Sequence, residues 1–166
     1  MKKLFVILLF MSFLSNAQNH FKALEQKESI NKTVVDSKML EIMSNLETDS
    51  NNSESKEYQK LVKSISSLKI FVDENGKHKS EMLNLFQTYI NKHNLKEKKV
   101  NNNKLMCYTK KGSSIDKISD LLLLTENVNN LNESILVFVK GDFKLKQADL
   151  LIKKLKIPGV KQISSF

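Results

Sequence analysis

Three histidines, one cysteine and a dense run of lysines are the side chains of this sequence with the most chemistry to offer. His78 and Glu81 stand three apart near an expected helix start, a spacing that sets an imidazole and a carboxylate on one side of a helix. His93 would complete a two-imidazole, one-carboxylate set of the kind zinc accepts. Yet residues as far apart as His78 and His93 on one helix are separated by roughly four turns, more than about 20 Å. Nothing in the sequence closes that gap, so solvated polar residues are the plainer reading. No metal or cofactor is assigned. A nucleophile at Cys107 or Ser113 would need a histidine base, and of the three available His20 falls at the expected frayed start of the mature chain. Cys107 has no second cysteine to pair with, and on an expected strand it reads as a small buried hydrophobe. The Gly-x-Ser-x-Gly elbow, the His-Glu-x-x-His zinc helix, the phosphate-binding glycine loop, the EF-hand loop and the Cys-x-x-Cys pair do not occur. No catalytic residue is assigned, and an enzyme is not expected. Met39, Met43 and Met82 fall on helical stripes and read as core filler rather than copper ligands.

The lysines carry more. All 27 basic residues are lysine, and the whole chain has a formal charge of +9. Without arginine there is no planar fork to read phosphate or guanine in two places at once, so nucleic acid is a poor match for the positive charge. Between Lys92 and Lys117 the lysines stand against Glu97 and Asp116 alone. Within that run Lys96, Lys98, Lys99 and Lys104 are the candidate partner-binding residues. Like charge packed into a short connection repels itself, and an anionic partner would relieve the strain. A solubilising loop is the bland alternative.

Residues 1–17 set the compartment. Two lysines precede an uncharged apolar run from Leu4 to Leu14, and Ser15-Asn16-Ala17 offers small residues ahead of Gln18. A run this short falls below the roughly 18–20 residues that cross a bilayer, so the segment reads as a cleaved secretory signal. The mature chain, 18–166, is then exported to the periplasm or beyond, with no membrane-spanning segment of its own. Its length suits a single domain. Cys107 is far from the cleavage site, so the chain is not expected to be a lipoprotein.

The elements that position these groups follow from periodicity. Leu105 to Thr109, Ile118 to Thr125 and Ser134 to Lys140 are three apolar runs joined by Gly-, Ser- and Asn-rich connections, the pattern of a β-meander. Leu121–Leu124 and Ile135–Val139 are apolar at odd and even positions alike, so these strands should be central and covered on both faces. Asn31–Val35 and 68–73 read as further strands. Helices are expected at 21–27, at 37–46 capped by Asp36 or Ser37 with Met39, Ile42, Met43 and Leu46 inward, through Tyr58, Leu61, Val62 and Ile65, and over 78–92. A last helix, capped by Asp142, carries Leu145, Ala148, Ile152 and Leu155 and is stopped by Pro158-Gly159. Residues 47–56 contain no apolar side chain and read as a mobile internal loop. The fold expected is α+β: a mostly antiparallel sheet built from 68–73, 104–110, 117–125 and 133–140, ending in a three-stranded meander, with helices mainly packed on one face.

These residues also carry a resemblance. The leader ending Asn16-Ala17-Gln18, the segment from Val34 to Met43, Leu68-Lys69-Ile70-Phe71, Asp116 to Leu123, and Leu136 to Phe143 together resemble the DUF4252 family of exported Bacteroidetes proteins. The resemblance spans essentially the mature chain and is most specific towards Ile157-Pro158-Gly159-Val160. It implies no activity. It does imply an envelope role, since genes of this family often neighbour those for extracytoplasmic-function sigma factors, and many members carry a cleavage-site cysteine that this chain lacks. Three classes of function follow: an envelope protein that binds a protein or small ligand, a lysine-mediated binder of anionic lipid or lipopolysaccharide surfaces, and a hydrolase of unfamiliar type.

Overall fold

The alternating and helical periodicities resolve into six strands and five helices among the described residues. The structure, a computed structural model, describes residues 20–46, 53–100, 105–128 and 132–155. The expected signal segment 1–17, Lys104 and the Pro158-Gly159 stop lie outside them. In chain order the elements are α1 (Lys22–Glu25), β1 (Asn31–Asp36), α2 (Ser37–Leu46), α3 (Ser53–Ser64), β2 (Ile65–Asp73), α4 (Lys79–His93), β3 (Lys96–Glu97), β4 (Leu105–Lys111), β5 (Lys117–Val128), β6 (Glu133–Lys144) and α5 (Leu145–Leu155). The strands form one sheet in the order β1-β2-β6-β5-β4-β3. Every described pairing is antiparallel.

The fold is therefore α+β, and β4-β5-β6 is the expected meander. Leu121–Leu124 pair in register with Val139–Leu136, and these strands are apolar throughout because each face of the sheet meets a separate core. On one face Leu121, Leu123, Ile135, Val137 and Val139 pack with Leu40, Leu61, Val62, Ala148 and Ile152 of α2, α3 and α5. On the other, Leu122, Leu124, Leu136 and Phe138 pack with Phe21 and Leu24 around α1 and with Met82, Phe86 and Tyr89 of α4. Three helices cover one face and two the other. The chain turns into α4 through Gly76, whose φ of +68° is the left-handed conformation that glycine adopts at little cost. Running on one face, α4 carries the chain from β2 to β3 at the far edge of the sheet. This crossing delivers the lysine-rich connection to the end of β4.

Several local expectations fail, each for a tertiary reason. Asp142 caps no helix, because β6 continues to Lys144 and α5 begins at Leu145. Gly141 makes that continuation possible: a Cβ there would meet the Ser64 carbonyl oxygen and come within 2.8 Å of Ile65 Cα, where β2 crosses closely. The cap of α5 is instead one half of a capping box, in which the Lys144 N–H donates to Gln147 Oε1 (2.9 Å). In α2 Asp36, one of the two residues expected to cap it, does so, with the Met39 N–H donating to Asp36 Oδ1 at 2.9 Å. The inward stripe, however, is rotated. Met39 and Ile42 are 52 % and 53 % exposed while Leu40 and Ser44 are buried, so Met39 is not core filler. Neighbouring apolar positions define two phases about 100° apart on a helix, and contact with α3 and β2 selects the one through Leu40. The expected loop at 47–56 does not extend over 53–56. Residues 53–56 form the first turn of α3, where Ser55 is buried and Glu54 accepts from Lys153 of α5 at 2.8 Å. Residues 47–52 lie outside the described residues. Ile65 opens β2 rather than closing α3. His20 is not frayed either: Nε2 donates to the Leu85 carbonyl (2.8 Å), and the ring packs edge-on against Phe21 and Tyr89.

Candidate anion-binding groove

Four separate pieces of chain bring lysines to one end of the sheet. The first is the C-terminus of α4, which supplies Lys92 and His93 and stops at Asn94, held in the left-handed conformation at φ 55°. Asn94 and Leu95 both donate N–H to the Ile90 carbonyl, and buried Leu95 anchors the exit. The second is β3, whose two residues pair with Thr109 and Tyr108 of β4. The Lys98 N–H then donates to the Cys107 carbonyl (2.8 Å). Alternation along an extended chain puts Lys96 and Lys98 on one side with Glu97 between them. The third and fourth pieces are the arms of the β4–β5 hairpin, which contribute Lys110, Lys111 and Lys117. Together with Thr109, Ile115, Asp116, Ile118 and Leu145 these residues line a groove of about 760 Å³.

Charge in the groove is unbalanced. Lys117 Nζ donates to Asp142 Oδ2 at 2.7 Å, and Asp116 is already paired with Lys144 at 2.6 Å. Among the described residues no carboxylate forms an ion pair with Lys92, Lys96, Lys98, Lys110 or Lys111, and all five are exposed. His93 lies on the inner wall with its ring 4.2 Å from that of Tyr89. Burial, and after it the positive charge of Lys110, lowers its pKa, so the imidazole is neutral at pH 7. Behind it Tyr89 donates to Asp120 Oδ1 (2.7 Å), and Ser119 donates to Asp120 Oδ2 (2.6 Å). Burial, followed by Asp120, raises the Tyr89 pKa, which keeps the phenol a donor.

The hairpin tip at the groove's rim is pinned. The Gly112 N–H donates to the Lys117 carbonyl (2.9 Å), and the Ser113 N–H and Oγ donate to Asp142 Oδ1 and Oδ2 at 2.9 and 2.7 Å. Hydrogen bonds from Lys117 and Ser113 hold the Asp142 carboxyl at about 2, and those from Lys144 and Ser114 hold Asp116 at about 2. Ile115, at the hairpin tip, is 91 % exposed.

Of the candidate binding residues read from the sequence, Lys96 and Lys98 line this groove. Lys99 is exposed beside it without lining it, and Lys104 lies outside the described residues. The lysine density of 92–117 was legible as a run; Asp142, which organises the tip, was not, because its contacts with Ser113 and Lys117 join residues distant in the chain. The other candidates stay apart. His78 and Glu81 form a 3.5 Å pair within a cluster that includes Ser29 and Lys27, while His93 is at the opposite end of α4. Among the described residues no three His, Cys, Asp or Glu side chains could hold a metal ion. Cys107 is buried in the core, and its thiol pKa is pushed up to about 12 by that burial. The Ser113 hydroxyl is bonded to a carboxylate rather than to an imidazole.

The sequence model of a family described as "Domain of unknown function (DUF4252)" matches residues 21–151. Neither a curated protein nor a solved structure matches the chain.

Proposed function

The chain belongs to the DUF4252 family, and for this member we propose an exported, non-enzymatic binding module of the cell envelope whose ligand presents anionic oxygens to the lysine groove. The observation that carries the reading is the convergence of five lysines, none ion-paired among the described residues, from α4, the β3 segment and β4 on one concavity. Clustered like charge raises the local anion concentration, and an anion relieves its repulsion. Ammonium groups are point charges without a planar fork, so this groove recognises charge density rather than one bidentate geometry. The buried thiol and the engaged serine support binding over covalent chemistry. Export is inferred from the leader at 1–17.

Titration calorimetry with inorganic tripolyphosphate at low and physiological salt tests the proposal. Wild-type protein is expected to bind with an affinity that falls as screening rises. A variant with Lys96, Lys98, Lys110 and Lys111 changed to glutamine should lose most of that binding. A control with exposed Lys22, Lys56, Lys60 and Lys63 changed to glutamine, and so with the same net charge, should retain it. Equal loss in both variants would show that only net charge matters and would overturn the groove.

A further inference from the structure

We infer that the anionic oxygens are those of a lipid bilayer surface, and that the β4–β5 hairpin docks on it with Ile115 dipping below the headgroups. This rests on the anion-binding reading and adds the apolar half of the contact. Ile115 is the most exposed large hydrophobic of the described residues, at 91 % against 53 % for Ile42. It stands at a hairpin tip with Lys110 and Lys111 on one arm and Lys117 on the other, at the rim of the groove those lysines line. A soluble anion gives no role to an isoleucine placed there. A membrane interface does, because apolar tips enter the acyl boundary while lysine stems lie along it and their ammonium groups stay with the phosphates.

Part of the tip's backbone is already satisfied within the protein. Backbone donors that leave water must be satisfied within the protein. Here the N–H groups of Gly112, Ser113 and Lys117 donate to the Lys117 carbonyl, Asp142 and the Ser114 carbonyl. The Ser113 and Ser114 hydroxyls donate to Asp142 and Asp116. These bonds, with the Lys144–Asp116 pair, hold Ile115 outward without ordering on contact. No helix among the described residues is long and apolar enough to cross a membrane, so the contact proposed is a surface one.

The sequence has no tryptophan, and an Ile115→Trp variant of the full chain therefore carries a single indole reporter. Vesicles of phosphatidylglycerol and phosphatidylcholine in equal parts are expected to shift its emission to the blue. Brominated acyl chains should quench it, whereas pure phosphatidylcholine vesicles and tripolyphosphate should leave the emission unchanged. Ile115→Ser, which alters no charge, should weaken anionic-vesicle binding about tenfold and leave tripolyphosphate affinity as in wild type. Vesicle binding with an unshifted indole and a wild-type Ile115→Ser variant would overturn insertion while the groove survives. Tripolyphosphate binding without any vesicle binding would identify the ligand as a soluble anion, again overturning the lipid assignment alone. Loss of both would remove the anion-binding reading, and the lipid assignment with it.

Discussion

Replacing Tyr89 by phenylalanine isolates one buried hydrogen bond behind the groove. Tyr89 is 2 % exposed and packs against Phe21, Phe138 and His93, contacts that a phenylalanine ring keeps. What disappears is the hydroxyl, whose 2.7 Å bond reaches Asp120, itself 4 % exposed. Bonds to charged acceptors contribute about 1.5–3 kcal/mol, and loss of one leaves the acceptor short of a donor in a place water reaches poorly. Ser119 still donates to the other carboxylate oxygen, which places the loss near ~2 kcal/mol. For a chain of this size 1 kcal/mol moves Tm by about 2–4 °C, so a fall of about 4–8 °C is expected. Thermal and urea unfolding followed by circular dichroism give the value, with an unchanged urea slope showing that the change is in stability alone. In an Asp120→Asn background the acceptor is a neutral amide, and the same substitution should remove only ~1 kcal/mol. A Tyr89→Phe protein that melts within about 1 °C of wild type would refute the reasoning and would mean that Ser119 and the surrounding dipoles satisfy Asp120 by themselves.

Gly141→Ala should destabilise by about 2–3 kcal/mol, because the added methyl meets the backbone at the α3–β2 junction, at Ser64 and Ile65, which is held by the helix on one side and the ladder on the other; a urea midpoint equal to that of wild type would contradict the close approach. His93 has a folded pKa below its unfolded value of about 6.5, so the unfolded chain takes up its proton first and stability falls as pH drops below about 6.5, levelling off under the folded pKa. Tripolyphosphate in the groove should offset Lys110 and raise the His93 pKa, a shift that histidine NMR titration reads and that should be absent from the groove glutamine variant. Cys107, with its thiol pushed up to about 12, should resist a thiol-specific disulfide reagent at pH 8 until urea unfolds the protein; reaction of the native protein at the rate of a free thiol would contradict its burial.

The sequence alone pointed to the central strands, since Leu121–Leu124 and Ile135–Val139 are apolar on both sides, a pattern that suits strands of a sheet covered on both faces, and the two cores of the fold bear that out. It also indicated a helix over about 78–92, a helix cap at Asp36 or Ser37, the buried state of Cys107 and the crowding of lysines between 92 and 117. These signals are local: a period, a cap or a composition is written within a few residues. Tertiary structure decided the rest. Nothing near Asp142 announces that β6 runs past Gly141, because the reason is the β2 backbone pressed against that glycine. Met39 and Leu40 are equally apolar, and only the packing of α3 and β2 makes one exposed and the other core. His20 became a packed ring because α4 offered the Leu85 carbonyl. In the groove, Lys96 and Lys98 are near Lys110 and Lys111 in space only because α4 carries the chain to the far edge of the sheet and β3 pairs there with β4. Charge density is a property of sequence, but its concentration on one concavity beside an exposed isoleucine depends on contacts between distant segments, which no local pattern records.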